Sequence, residues 1–223
     1  MAAEPTLLVS ELFYSIQGES TLAGAPCAFI RLAGCNLRCS YCDARYTYEE
    51  PGQTRTVVEL TAFIANHPTA LVEITGGEPL LQDNVYPLMA ALVGAGRTVL
   101  LETNGSLTLD RVPTGVVKVM DIKCPASGMQ EAMRWENLAC LTGNDNLKFV
   151  LSSRDDFTWA ADQLRAHLPG LGRDTNLPVA IFSPVLDKLA PARLAAWILA
   201  EGLPVRLQLQ LHKLLWPGSP RGV

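Results

Sequence analysis

At 223 residues, 48% of them apolar, the chain is long enough to bury one sizeable core and has the side chains to fill it. Its formal net charge of −4 lacks the basic excess that neutralising a phosphate backbone requires, so nucleic acid is excluded as the main partner while a small anion is not. No apolar run approaches the length that spans a bilayer, and no membrane partner is expected.

The first stretch, "MAAEPTLLVSELF", carries Glu4 and Glu11 where a leader would be positive, which predicts a cytoplasmic protein. Short β-type runs then alternate with helical patterns: "AFIRL" (28–32), "ALVEIT" (70–75), "TVLLET" (98–103), "VVKVMDIK" (116–123), "LKFVLS" (147–152), "VAIFS" (179–183) and "VRLQLQL" (205–211). Most are continuous apolar runs, as strands covered on both faces should be. Between the first two, Thr56 and Glu59 have capping-box spacing, and Val57, Leu60 and Ile64 share a helical face. After the second, Asp83 or Asn84 caps a helix with Val85, Leu88, Met89 and Leu92 inward and Gly94 or Gly96 as its stop.

This alternation predicts parallel βα units. Closed eight-unit barrels typically need roughly 250 residues. The expected fold class is therefore α/β, a single-domain, incomplete TIM-type barrel over residues 1–223, with no linker or repeat dividing it. The unusual polar residues follow the strands: "TGGEP" (75–79), "ETNG" (102–105), "DIKCP" (121–125), "SP" (183–184) and "QLHK" (210–213). Ligands sit at the carboxyl ends of parallel strands, so these segments should converge, together with the cysteine loop after "AFIRLAG".

That loop, "GCNLRCSYCD", puts Cys35, Cys39 and Cys42 in a C-x3-C-x2-C arrangement, while Cys27, Cys124 and Cys140 are scattered and read as small buried apolar residues. Clustered thiols in a reducing compartment point to metal or catalysis. Zinc would need a fourth ligand from His67, His167, His212 or a distant cysteine, and no motif supplies it. A [4Fe–4S] cluster held by three thiolates leaves one iron with an open position for a substrate or cosubstrate.

The cysteine loop resembles the signature of the radical S-adenosylmethionine superfamily, and "GGEP" resembles its second signature. The resemblance implies that S-adenosylmethionine binds the unique iron and, on one-electron reduction, releases a 5′-deoxyadenosyl radical. It assigns Cys35, Cys39 and Cys42 to the cluster and Gly76, Gly77 and Glu78 to the methionine end, where the glycines allow close approach and the carboxylate can oppose an ammonium. Tyr41 falls near the adenine. Asp43 and Glu102 join the cosubstrate's neighbours, and Asp121, Ile122 and Lys123 its nucleoside side.

The longer phrase "SELFYSIQGESTLAGAPCAFIRLAGCNLRCSYCD", with "TGGEPLLQ", "ETNGS", "DIKCPASGM", "LKFV" and "QLHKLLWP", resembles the family of 7-carboxy-7-deazaguanine synthases over most of the chain. The implied reaction is ring contraction of 6-carboxy-5,6,7,8-tetrahydropterin with loss of ammonia. The implied substrate residues are Ile16, Gln17, Gly18 and Glu19 of an N-terminal segment (10–20), with Arg31 and Thr75; the cluster loop spans 33–48. Gln17 offers donor and acceptor to an aminopyrimidinone edge, and Arg31 offers a fork to a carboxylate. The family further implies a homodimer, an external one-electron reductant such as flavodoxin or ferredoxin, and Mg²⁺ at the substrate carboxylate. The usual hydroxyl ligand for that ion is replaced here by Ala44, so Asp43, Thr47 or a cation would have to take its part. A glycyl-radical activase and a zinc-stabilised binding module remain the competing readings.

Overall fold

The structure, a computed structural model, describes residues 4–219 and 221–223. It opens with β1 (Thr6–Ile16), β2 (Pro26–Leu32), a one-turn helix α1 (Tyr46–Glu49), β3 (Gln53–Thr56) and α2 (Val57–Ala65). β4 (Leu71–Gly76), α3 (Val85–Gly94), β5 (Thr98–Thr103), β6 (Val116–Ile122) and β7 (Asn146–Leu151) follow. The chain ends with α4 (Arg154–His167), β8 (Val179–Pro184), α5 (Pro191–Glu201), β9 (Arg206–Leu207) and α6 (Leu211–Leu215).

All nine strands form one sheet in the order β3-β1-β2-β4-β5-β6-β7-β8-β9. From β2 to β9 every neighbouring pair is parallel, whereas β1 pairs antiparallel with both β2 and β3. The sheet curls without closing, which is the expected incomplete barrel. β1 and β3 extend it beyond the seven predicted runs; the mixed residues of β1 hide their strand pattern, because both of its edges are paired while one face stays polar.

The helix patterns hold. Thr56 and Glu59 form the reciprocal capping box at the start of α2, with Leu60 and Ile64 buried. In α3 Val85, Leu88, Met89 and Leu92 face inward; Asn84 occupies the cap position but makes no side-chain cap bond. The run 205–211 departs from expectation, being strand only at Arg206–Leu207 and turning into helix at Leu211. Its polar residues are drawn elsewhere: Gln208 Nε2 donates to Ser20 O at 2.6 Å, Gln210 Nε2 to Glu19 Oε1 at 2.9 Å, and Leu211 N to Gly18 O at 3.1 Å. A ladder cannot continue once its alternate residues bind the β1–β2 loop.

Two apolar clusters flank the sheet. The larger one joins outward-facing strand residues to the helices, as in Leu60, Met89, Phe149, Phe157 and Leu194. The smaller one, Phe13, Cys27, Phe29, Leu71, Leu100 and Val119, fills the inside of the barrel, with Phe13 and Phe29 stacked at 4.5 Å. Cys27 and Cys124 are fully buried, as expected of small apolar residues. Cys140 is not: on the connection between β6 and β7, it is only partly buried, and its Sγ lies 3.3 Å from Asp110 Oδ1 of the β5–β6 connection.

Phe149 is sealed from solvent and meets Phe182 edge-on at 5.4 Å. Phe149→Ala should lower the unfolding free energy by about 3–5 kcal/mol in urea titration of the anaerobic protein; a loss below about 1 kcal/mol would mean that the outer core collapses around the gap.

Candidate active site

Strand polarity decides where the site lies. Inward-facing side chains change from apolar to charged on passing toward the carboxyl ends of the strands: above the phenylalanine floor stand Arg31 on β2, Glu73 and Thr75 on β4, Glu102 on β5, Asp121 on β6 and Lys148 on β7. They line a cavity of about 320 Å³, within the range of small-molecule sites. The same cavity is lined by Ile16, Gln17, Gly18 and Glu19, by Cys35, Cys39, Tyr41, Cys42 and Asp43, by Gly76 and Gly77, and by Lys123. The predicted convergence holds for the segments after β4, β5 and β6, for "QLHK" and for the cysteine loop, whereas Ser183 and Pro184 are buried and do not line the cavity.

The cysteine loop is anchored from several sides. Gly34 N donates to Thr47 O at 2.6 Å, Ser40 Oγ to Ala126 O at 2.7 Å, and Arg38 Nη1 to the carbonyls of Cys35 and Leu37, its guanidinium lying 4.0 Å over the Tyr48 ring. Its three thiols are free of disulfides. Leu37 N points at Cys35 Sγ from 3.4 Å, the kind of contact that tunes a cluster's sulfur ligands. Among the described residues, no three His, Cys, Asp or Glu groups close on one metal ion. Three thiols on one loop that line the same cavity fit the protein ligands of an iron–sulfur cluster with one open position.

Gly77 presses against this loop. A Cβ built there would sit 2.2 Å from Gly34 O and 2.6 Å from Cys35 Cβ, so only glycine lets the end of β4 touch the cluster loop. Two expected contacts are not found at the wall. Glu78 is completely buried beneath it, and its carboxylate accepts from Leu80 N, Thr103 Oγ1 and Asn104 N, at 3.0, 2.9 and 2.7 Å. It braces the β4 and β5 ends and is not turned to meet a ligand's ammonium. Ile122 likewise points into the outer core, because alternation along β6 sends its neighbour Asp121 inward.

The charges inside the barrel are paired. Lys148 Nζ contacts Glu102, Glu19 Oε2 at 2.9 Å and Asp121 Oδ2 at 3.4 Å. Burial disfavours its ammonium, but these three carboxylates hold its pKa well above the usual lysine value. Burial also pushes Glu102 up, and the Lys148 ammonium with the Thr75 hydroxyl at 2.8 Å more than reverses this, to about 2. Lys123 Nζ lies 2.9 Å from Asp121 Oδ2, while Asp121 Oδ1 is buried with no partner among the described residues, an open acceptor for a ligand hydroxyl. Arg31 Nε holds Glu11 Oε1 at 2.7 Å, and Tyr46 OH donates to the same oxygen. Among the described residues the two terminal nitrogens of Arg31 make no hydrogen bond.

Sequence reading missed Glu11, Glu73, Lys148 and the terminal residues Ser219, Arg221, Gly222 and Val223, all at the cavity wall. The signal that singled out Arg31, a charge within an apolar strand, marks Glu73 in "ALVEIT" and Lys148 in "LKFVLS" equally well. No comparable signal marks the tail, whose Arg221 reaches Glu50 and stacks 4.0 Å over Tyr46.

Fold and thiol loop together define a radical S-adenosylmethionine protein. The Radical SAM superfamily pattern matches residues 29–117. The structure of QueE from Escherichia coli superposes with a TM-score of 0.73 at 25% identity, covering 92% of this chain and 94% of that one. Two curated proteins named 7-carboxy-7-deazaguanine synthase are similar over their whole length. The one from Chlorobaculum tepidum is 44% identical over 100% of both chains, and the one from Koribacter versatilis 43% identical over 96% of this chain and 99% of its own. The chain belongs to the 7-carboxy-7-deazaguanine synthase family, whose members are radical lyases that use an iron–sulfur cluster and S-adenosylmethionine.

Gly77→Ala should leave the fold intact but displace Cys35, so reconstituted protein should bind less iron and sulfide than wild type and lose the charge-transfer absorbance of the cluster. Full iron content in that variant would show that the β4 end does not set the loop.

Proposed function

We propose that the chain catalyses the ring contraction of 6-carboxy-5,6,7,8-tetrahydropterin to 7-carboxy-7-deazaguanine with release of ammonia. The single observation that carries this reading is the pairing, in one cavity, of three free thiols with a half-buried arginine whose fork is open on one side. In this reading Cys35, Cys39 and Cys42 hold the cluster, Gly76 and Gly77 receive the methionine end of S-adenosylmethionine, and Tyr41, Asp121 and Lys123 its nucleoside. Cluster and cosubstrate supply the deoxyadenosyl radical.

The chain's own residues bind and orient the pterin. Arg31 meets the carboxylate through its free terminal nitrogens, since Nε is fixed on Glu11. Thr75 and Glu102, already hydrogen-bonded to each other, and Glu19 present acceptors to ring N–H groups. Gln17 orders the β1–β2 loop: its Oε1 accepts from Glu19 N at 3.0 Å and its Nε2 donates to Glu73. Gly18 lets that loop pass His212, whose Nδ1 would lie 2.6 Å from an added Cβ.

The residues present do not fit Mg²⁺. Ala44 has no hydroxyl, Thr47 Oγ1 is buried and donates to Ala44 O at 2.7 Å, and Asp43 Oδ2 is held by Lys213 Nζ at 2.8 Å. Arg31 and Lys213 neutralise the substrate carboxylate in its place. A homodimer formed through the exposed Leu207, Leu214 and Leu215, an external one-electron carrier such as flavodoxin or ferredoxin, and a cytoplasmic location complete the proposal. No helix among the described residues is long and apolar enough to cross a membrane.

The test is anaerobic turnover of reconstituted protein with S-adenosylmethionine, dithionite and the carboxytetrahydropterin. Wild type should yield the deazaguanine equally with Mg²⁺ and with EDTA. Cys39→Ala should abolish product and cosubstrate cleavage. Arg31→Ala should keep its iron but raise KM roughly 10–100-fold, the size expected for losing a charge-assisted pair. Absence of product from wild type, or an unchanged KM in Arg31→Ala, would overturn the corresponding assignment.

A further inference from the structure

Among the described residues, Glu73 is the one cavity-lining carboxyl group that forms no ion pair with a cation. Alternation along β4 turns Val72 and Ile74 to the outer core and Glu73 and Thr75 to the interior. Glu73 is 6% exposed and lines the cavity directly above Phe29 and Val119 of the apolar floor. Its Oε2 accepts the Gln17 amide, and its Oε1 has no hydrogen-bond partner among the described residues.

The groups around it come from four directions. β2 contributes Cys27 and Arg31, β5 contributes Glu102, the β1–β2 loop contributes Gln17 and Glu19, and Lys148 of β7 is turned to Glu102 and Glu19. Arg31 is anchored on Glu11 and Lys148 on its own carboxylates, so the Arg31 charge and the Gln17 hydrogen bond offset only part of what burial and the negative Glu102 do at Glu73. Burial first, and then the Glu102 charge, push Glu73 up to about 8. Two carboxyl groups on neighbouring strands thus sit in opposite states at neutral pH, one ionised and one carrying its proton.

We propose that Glu73 reads the substrate: as a neutral acid it donates one hydrogen bond from Oε1 to an acceptor on the bound heterocycle, a ring carbonyl or an unprotonated ring nitrogen, while Oε2 positions Gln17 and its loop against the same ring. The assignment rests on the substrate being the small heterocycle named above. A lone carboxylate in this position would repel any acceptor, so the proton on Glu73 selects for a ligand that presents a lone pair there and against one that presents an N–H.

The experiment measures KM for the carboxytetrahydropterin, and cosubstrate cleavage, from pH 6.5 to 9.5 in wild type, Glu73→Gln and Glu73→Ala holoenzymes. In wild type KM should rise as pH passes about 8, because the donor is lost and a negative charge gained. Glu73→Gln keeps a donor and an acceptor of the same shape; it should match wild type at pH 7 within about threefold and lose the alkaline rise. Glu73→Ala should raise KM roughly tenfold at pH 7, with iron content unchanged. A wild-type and Glu73→Gln pair with identical pH profiles, or Glu73→Gln as impaired at pH 7 as Glu73→Ala, would overturn the proposal. Failure of wild type to make product at any pH would instead overturn the assigned reaction, and the two results cannot be confused.

Discussion

A single buried ammonium organises the polar half of the barrel. Lys148 stands among Glu19, Glu102 and Asp121, which belong to the substrate loop, β5 and β6, and it is almost sealed from solvent. Removing a lysine from water costs several kcal/mol, and such a charge persists only where paired carboxylates offset that cost. The lysine in turn helps to keep Glu102 ionised. Remove the ammonium and three anions would face one another across a cavity floored by phenyl rings, so the positions of the β1–β2 loop and of the two strand ends depend on it together.

From that pairing the rest of the site's electrostatics follows. Glu102 is ionised because Lys148 and Thr75 hold it, and its charge beside a buried neighbour keeps Glu73 neutral. Glu73 in turn accepts from Gln17, and Gln17 fixes the loop that Gln208, Gln210 and Leu211 also grip from the far end of the chain. The sheet never closes, yet the segment after β9 is joined across the gap to the β1–β2 loop by these contacts. The residues expected to extend the last strand serve instead to bind the substrate loop.

Much of this was legible in the amino-acid sequence, and the reasons for the misses are physical. Continuous apolar runs marked β2 and β4 to β8 because both of their faces are covered, whereas the last run alternates and yields only the short, exposed β9; β1 and β3, rich in polar residues, carried no such mark. The C-x3-C-x2-C loop and the glycines of "TGGEP" were readable because few other chemistries need them at that spacing. Glu78 was misread, since a carboxylate after two glycines looks the same whether it faces a ligand or the backbone amides of the next strand. Lys148 and Glu73 were overlooked because a charge in a strand reveals its role only when the partner strand is known.

The absence of the Ala44 hydroxyl belongs to the same charge balance. Six carboxyl side chains line the cavity, Glu11, Glu19, Asp43, Glu73, Glu102 and Asp121, against five cations, Arg31, Lys123, Lys148, Lys213 and Arg221. Arg221 is paired with Glu50, which lies outside the cavity, and burial pushes His212 below its usual value. A substrate with one carboxylate brings a negative charge that the open side of the Arg31 fork can meet by direct hydrogen bonds. A divalent ion would find no hydroxyl at Ala44 to hold it, and Lys213 already stands at Asp43.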